Sequence, residues 1–127
     1  MSAMDDEMKL FVPYIAPSTN AMYAGQHWRK RVKHKFDAKK AVMVALAALK
    51  EKKVFTKPVH IELEPQLGKG KRAYDVSNYS YTYKLIEDCL VERGILEGDT
   101  AAFVKELRFK SPVRGAETGL NILIAEA

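Results

Sequence analysis

The segment "KGKRAYDVSNYSYTYKLIEDCLVERGILEGDT", residues 69 to 100, gathers the residue types that phosphate chemistry needs. Lys69, Lys71 and Arg72 stand directly before Asp75, Lys84 follows within a helix-like run, and Asp99 closes the segment after a glycine. Carboxylates are hard oxygen ligands suited to Mg2+, and a bound divalent cation neutralises a phosphodiester while activating water. A neighbouring lysine can stabilise the charge that builds up as the ester is cleaved. The chemistry these residues could do together is metal-assisted hydrolysis of a phosphodiester. Taken alone, Asp75 and Ser77 also read as turn and capping residues, and Lys84 with Asp88 as a surface i,i+4 pair.

The elements between these residues decide whether they can meet. Ser77 or Asn78 can cap a helix running to about Arg93, with Gly94 as its stop. On that helix Tyr83, Ile86, Cys89 and Leu90 share an apolar stripe, while Ser77, Tyr81, Lys84 and Asp88 line up on the opposite side. A helix of about 17 residues is roughly 25 Å long. Asp75 and Asp99 can therefore approach only if "GILEGD" turns the chain back along it.

Around this segment the pattern predicts a first strand at 9–16, ended by Pro17, Ser18 and Asn20, and then a loop containing "YAGQHW". A long basic helix is expected from Trp28 to Lys53, with Val32, Phe36, Met43, Leu46 and Leu49 facing the core. "PVHIELEP" at 58–65 alternates as a half-buried strand, Val59, Ile61 and Leu63 inward. Residues 101–110 and 118–127 read as two closing strands, joined by "SPVRGAE" as a hairpin. The expected fold is α/β (α+β) in the order β-α-β-α-β-β. The first two strands run parallel through a right-handed crossover, and the helices lie mainly on one face of a mixed sheet.

A chain of 127 residues with 47% hydrophobic and 29% charged residues suits one domain, spanning 1–127, and not a disordered or fibrous chain. The apolar run "AVMVALAAL" is too short to span a membrane, and "MSAMDDEM" is acidic where a signal peptide would be basic. The expected compartment is the cytoplasm. Cys89, the single cysteine, excludes an intrachain disulfide and a cysteine zinc cluster. His27, His34 and His60 have no metal-ligand spacing. The net charge of +5 is concentrated in "RKRVKHKFDAKK" at 29–40 and "KGKR" at 69–72, a footprint for a polyanion. Arg29, Lys30 and Arg31 join Lys69, Lys71 and Arg72 as candidate phosphate contacts, and Tyr74 and Tyr81 are the aromatic residues best suited to stack on bases.

The segment "DVSNYSYTYKLIEDCLVERGILEGD", with basic residues before it and "PSTNAMY" after the first strand, resembles the RusA family of Holliday junction resolvases. The resemblance covers nearly the whole chain, in the same order. It implies a homodimer that uses Mg2+ or Mn2+ to place paired nicks in four-way DNA junctions during recombination and repair, in a bacterial or prophage setting. Carried over, Asp75 and Asp99 match catalytic, metal-binding aspartates, Lys84 the helical lysine and Asn78 the asparagine of the motif; Asn78 and Asn20 are candidate DNA contacts, although Asn20 reads first as a turn residue. Two positions depart. Ser77 stands where the family has its second aspartate, and Gly98, after Glu97, where it has the first of the closing pair. Ser77 or Asp88, with Glu87 or Glu97 nearby, would then complete the metal site. The stretch from Asn78 to Lys84 is longer than the motif by about three residues, close to one helical turn. A catalytically inactive branched-DNA-binding module with the same fold is the other reading.

Overall fold

A computed structural model describes residues 7–23 and 28–127, apart from the side chains of Tyr23 and Trp28. The acidic start and the "AGQH" part of the first loop, with His27, lie outside the described residues. The elements are β1 (Glu7–Val12), α1 (Thr19–Tyr23), α2 (Trp28–Ala47), β2 (Val59–Leu67), a 3-10 turn (Val76–Tyr79), α3 (Ser80–Glu92), β3 (Val104–Phe109), β4 (Val113–Arg114) and β5 (Gly119–Glu126). The α+β class, the mixed sheet and the helices on one face are as the sequence predicts.

The strand order is β1-β5-β2-β3, with β4 continuing β3 along the edge of β2. β1 and β2 do run parallel, but β5 lies between them and pairs antiparallel to both. The expected closing hairpin does not form. β3 and β4 pair parallel to one side of β2, and β5 returns on its other side. Residues 115–118 carry the chain round the end of β2, where Gln66 Nε2 donates to the Glu117 carbonyl at 2.9 Å and Gly68 N–H to Thr118 Oγ1 at 2.9 Å. Gly119 then lets β5 press against β1, since a Cβ there would lie 2.4 Å from the Val12 carbonyl oxygen. Only glycine fits that approach.

Alternation sets the layers. Met8, Leu10 and Val12, Val59, Ile61 and Leu63, and Leu120, Ile122 and Ile124 all point to the helical side and are buried. The opposite face carries cross-strand charge pairs, Lys110 with Glu64 at 3.3 Å and Arg108 with Glu62 at 3.8 Å.

α2 ends at Ala47 and not Lys53. The chain must leave the helix early so that Phe55, buried, can bridge to Leu96. The apolar stripe also differs. Ala38, Ala41, Val42, Ala45 and Leu46 are buried at helical spacing, whereas Val32, Phe36 and Met43 are exposed. Alanine lets α2 sit close to its neighbours, and the larger side chains are left outside, Phe36 with the Lys40 ammonium 4.6 Å from its ring centre.

α3 buries Tyr83, Ile86, Cys89 and Leu90 as expected, and also Thr82, Leu85 and Glu87. Burial pushes the Cys89 thiol above its usual pKa, with Glu92 and Asp88 adding to the effect. Cys89 should therefore react with an aromatic disulfide on the order of 100-fold more slowly in the native protein than in urea. Equal rates would show that the α3 face is open.

Candidate metal centre beside a cleft

The start of α3 is held from outside the helix. Neither Ser77 nor Asn78 caps it; the capping position is Tyr79, with no side-chain bond. Thr19 of α1 does the work instead: its Oγ1 accepts the Tyr81 N–H at 3.1 Å and lies 2.9 Å from Ser80 Oγ and 3.2 Å from the Asn78 carbonyl. Asn78 Oδ1 accepts the Asn20 N–H at 3.1 Å, and Ser18 Oγ accepts the Ala21 N–H at 3.2 Å. The "PSTN" turn is thus a clamp that orients α3. Thr19→Val, which keeps the shape and removes the hydroxyl, should cost about 1 kcal/mol in urea unfolding, as for a lost helix cap. An unchanged midpoint would refute the clamp.

The end of α3 returns the chain. Gly94 adopts φ +77, Gly94 N–H donates to the Val91 carbonyl at 3.0 Å and Ile95 N–H to that of Leu90 at 2.9 Å. Such a left-handed glycine ends the helix and reverses direction. Ile95 and Leu96 are buried, and backbone bonds from Phe55 N–H to Ile95 (2.8 Å) and from Glu97 N–H to Phe55 (3.1 Å) fix the returning strand. Asp99 comes to rest against the middle of α3.

There Lys84 Nζ meets three carboxylates: Asp99 Oδ2 at 3.2 Å, Asp88 Oδ1 at 3.3 Å and Glu87 Oε1 at 3.4 Å. One oxygen from each of Glu87, Asp88 and Asp99 lies within 4.8 Å of the others, the geometry of a group able to hold a cation. The hydrogen bond to Asp99, with Asp88 and Glu87 behind it, holds Lys84 well above the usual lysine pKa, so it remains an ammonium at neutral pH. Glu87 is buried, Asp88 half-buried and Asp99 exposed. The Tyr83 hydroxyl is buried with no hydrogen-bond partner among the described residues, and burial, with Glu87 as its main neighbour, pushes its pKa far up.

The structure therefore brings together Lys84, Asp88 and Asp99 and adds Glu87. Asp75 is exposed, starts the 3-10 turn without a side-chain cap bond, and is not part of the carboxylate group. Along the chain, nine residues of 3-10 and α-helical rise, roughly 15 Å, separate it from Lys84. Ser77 is also exposed at that end.

A cleft of about 440 Å³ adjoins the group, lined by Thr19, Met22, Arg31, Ser80, Tyr81, Tyr83, Lys84, Glu87, Leu107 and Phe109. Arg29, Lys30 and Arg31 are exposed in the first turn of α2, and Arg31 reaches the cleft. Tyr81 is half-buried with its ring edge-on to His34 at 6.3 Å. Lys69, Lys71 and Arg72 are exposed on a turn with Gly70 at φ +81, and Arg114 ties it down through the Lys71 carbonyl at 2.6 Å. Tyr74 is structural, donating its hydroxyl to the Ala16 carbonyl at 3.1 Å and packing on Tyr79.

Comparison with models of known protein families gives no match, and comparison with curated proteins gives none either. Among the described residues no helix is long and apolar enough to cross a membrane.

Proposed function

We propose that the protein is a metal-dependent, structure-selective endodeoxyribonuclease that acts on four-way DNA junctions. The observation that carries this reading is the return of Asp99 onto Lys84, Asp88 and Glu87 at the rim of a cleft that Arg31 also lines. Three carboxylate oxygens with an unpartnered phenol alongside suit a hard divalent cation. Mg2+ or Mn2+ held there would supply charge neutralisation at the scissile phosphate and an activated water.

The chain's own residues do the rest. Asp99, Asp88 and the buried Glu87 would hold the cation. Lys84 offsets negative charge on the phosphate. Arg31 with Arg29 and Lys30 on one flank, and Lys69, Lys71 and Arg72 near the start of α3, hold flanking phosphates, so binding is strongly salt-dependent and set by backbone shape. Each chain carries one such carboxylate group among its described residues, so paired nicks on opposed strands require two copies, a homodimer.

A second reading rests on a specific observation: the Lys84 ammonium already occupies the point on which the group converges, and the Asp75 and Ser77 end supplies no carboxylate to it. That arrangement also suits a branched-DNA-binding module without cleavage. Incubation with a labelled four-way junction and with a linear duplex of the same sequence, each with Mg2+ or EDTA, separates the two. The nuclease cuts the junction, in Mg2+ alone; the module binds the junction and leaves it intact.

A further inference from the structure

Lys84 occupies the point on which the three carboxylates converge. It brings one positive charge against three negative ones, at 3.2, 3.3 and 3.4 Å. Its side chain is 57% exposed, whereas that of Glu87 is 9% exposed. A buried carboxylate whose ion pair among the described residues is to a solvent-washed ammonium at the limit of hydrogen-bonding distance, with the neutral Tyr83 phenol as its other polar neighbour, is poorly compensated. Beside it the Tyr83 hydroxyl, on a residue 4% exposed, has no partner among the described residues. Both features point to a ligand that binds oxygen more strongly than an ammonium does. The lysine stem is flexible, and the cleft it lines gives its head group somewhere to go.

We propose that Lys84 is the resident counter-ion of the Glu87, Asp88 and Asp99 group and that a divalent cation exchanges with it. Loading the site then releases the Lys84 ammonium into the cleft next to Arg31, where an anionic substrate is met by two cations instead of one. The release of Lys84 toward substrate rests on the nuclease reading; the exchange itself does not.

Two measurements without DNA test the exchange. In calorimetric titrations with Mn2+, Lys84→Met, which keeps the stem and drops the charge, should bind at least about tenfold more tightly than the wild type, because a close competing charge is gone. In wild-type protein, saturation with Mg2+ should shift the Lys84 side-chain methylene resonance in carbon-proton spectra. Unchanged or weaker Mn2+ affinity in Lys84→Met overturns the proposal, as does a Lys84 resonance that Mg2+ leaves in place. Absence of Mn2+ binding in both proteins overturns it together with the metal centre. A protein that shows the exchange and cuts no junction keeps this inference and loses the nuclease.

Discussion

Asp99→Asn should lower junction cleavage in Mg2+ by more than about 100-fold, the scale expected when a direct cation ligand is lost. Junction affinity at low salt should stay the same or rise, because a negative charge facing the phosphates is removed. Glu87→Gln should behave the same way, since it keeps the shape of a buried side chain and loses only its charge. Asp75→Asn separates the structure-based site from the site implied by the RusA resemblance. It should leave Mn2+ affinity within about twofold, since an exposed carboxylate outside the ligand group acts only through screened attraction. Gel-based cleavage rates and calorimetry on the three variants check this. Wild-type cleavage by Asp99→Asn would remove the proposed centre. A lost Mn2+ site in Asp75→Asn would restore that residue to it.

The second large effect concerns stability. Leu90 is fully buried on α3, and its backbone carbonyl accepts the Ile95 N–H that starts the return toward Asp99. Leu90→Ala opens a cavity under the helix and should cost about 3 kcal/mol, within the usual range for such truncations. For a domain of this size that lowers the melting temperature by roughly 10 °C. The backbone acceptor is retained in the variant, so the folded fraction should still bind Mn2+. A loss below about 1 kcal/mol would mean that α3 is not packed as described.

Period-two alternation made β2 and its inward face legible in the sequence, and the Tyr83, Ile86, Cys89 and Leu90 stripe placed Lys84 and Asp88 on the outer side of α3. The direction of β1 relative to β2 also followed from the connecting helices. The insertion of β5 between them did not, because both possible neighbours of β2 offer apolar alternation and the path round its end depends on Gln66, Gly68 and Thr118. The buried stripe of α2 is hard to see in the sequence because three of its five positions, 38, 41 and 45, are alanines, while the larger Val32, Phe36 and Met43 carry more hydropathy and are exposed.

The candidate site shows the same division. Lys84 and Asp88 are fixed by helical spacing alone, and Asp99 needed only the return that Gly94 provides. Glu87 was one of several acidic residues that could fill the gap left at Ser77. Its burial was foreshadowed by its position four residues after Tyr83 and next to Ile86, on the apolar side. The separation of Asp75 from the group follows from helix length, a constraint already visible in the sequence. Thr19 had no signal of its own: a cap donated from a different helix is a tertiary contact with no local pattern.

Whether the Glu87, Asp88 and Asp99 group supports metal-dependent cutting of branched DNA is tested most directly by a single-turnover experiment. Wild-type protein is bound to a labelled four-way junction in EDTA, excess Mg2+ is added, and products are followed over time. The bound junction should be converted to nicked duplex arms after the addition and not before it. A complex that stays bound and uncut as Mg2+ saturates the carboxylates would contradict it.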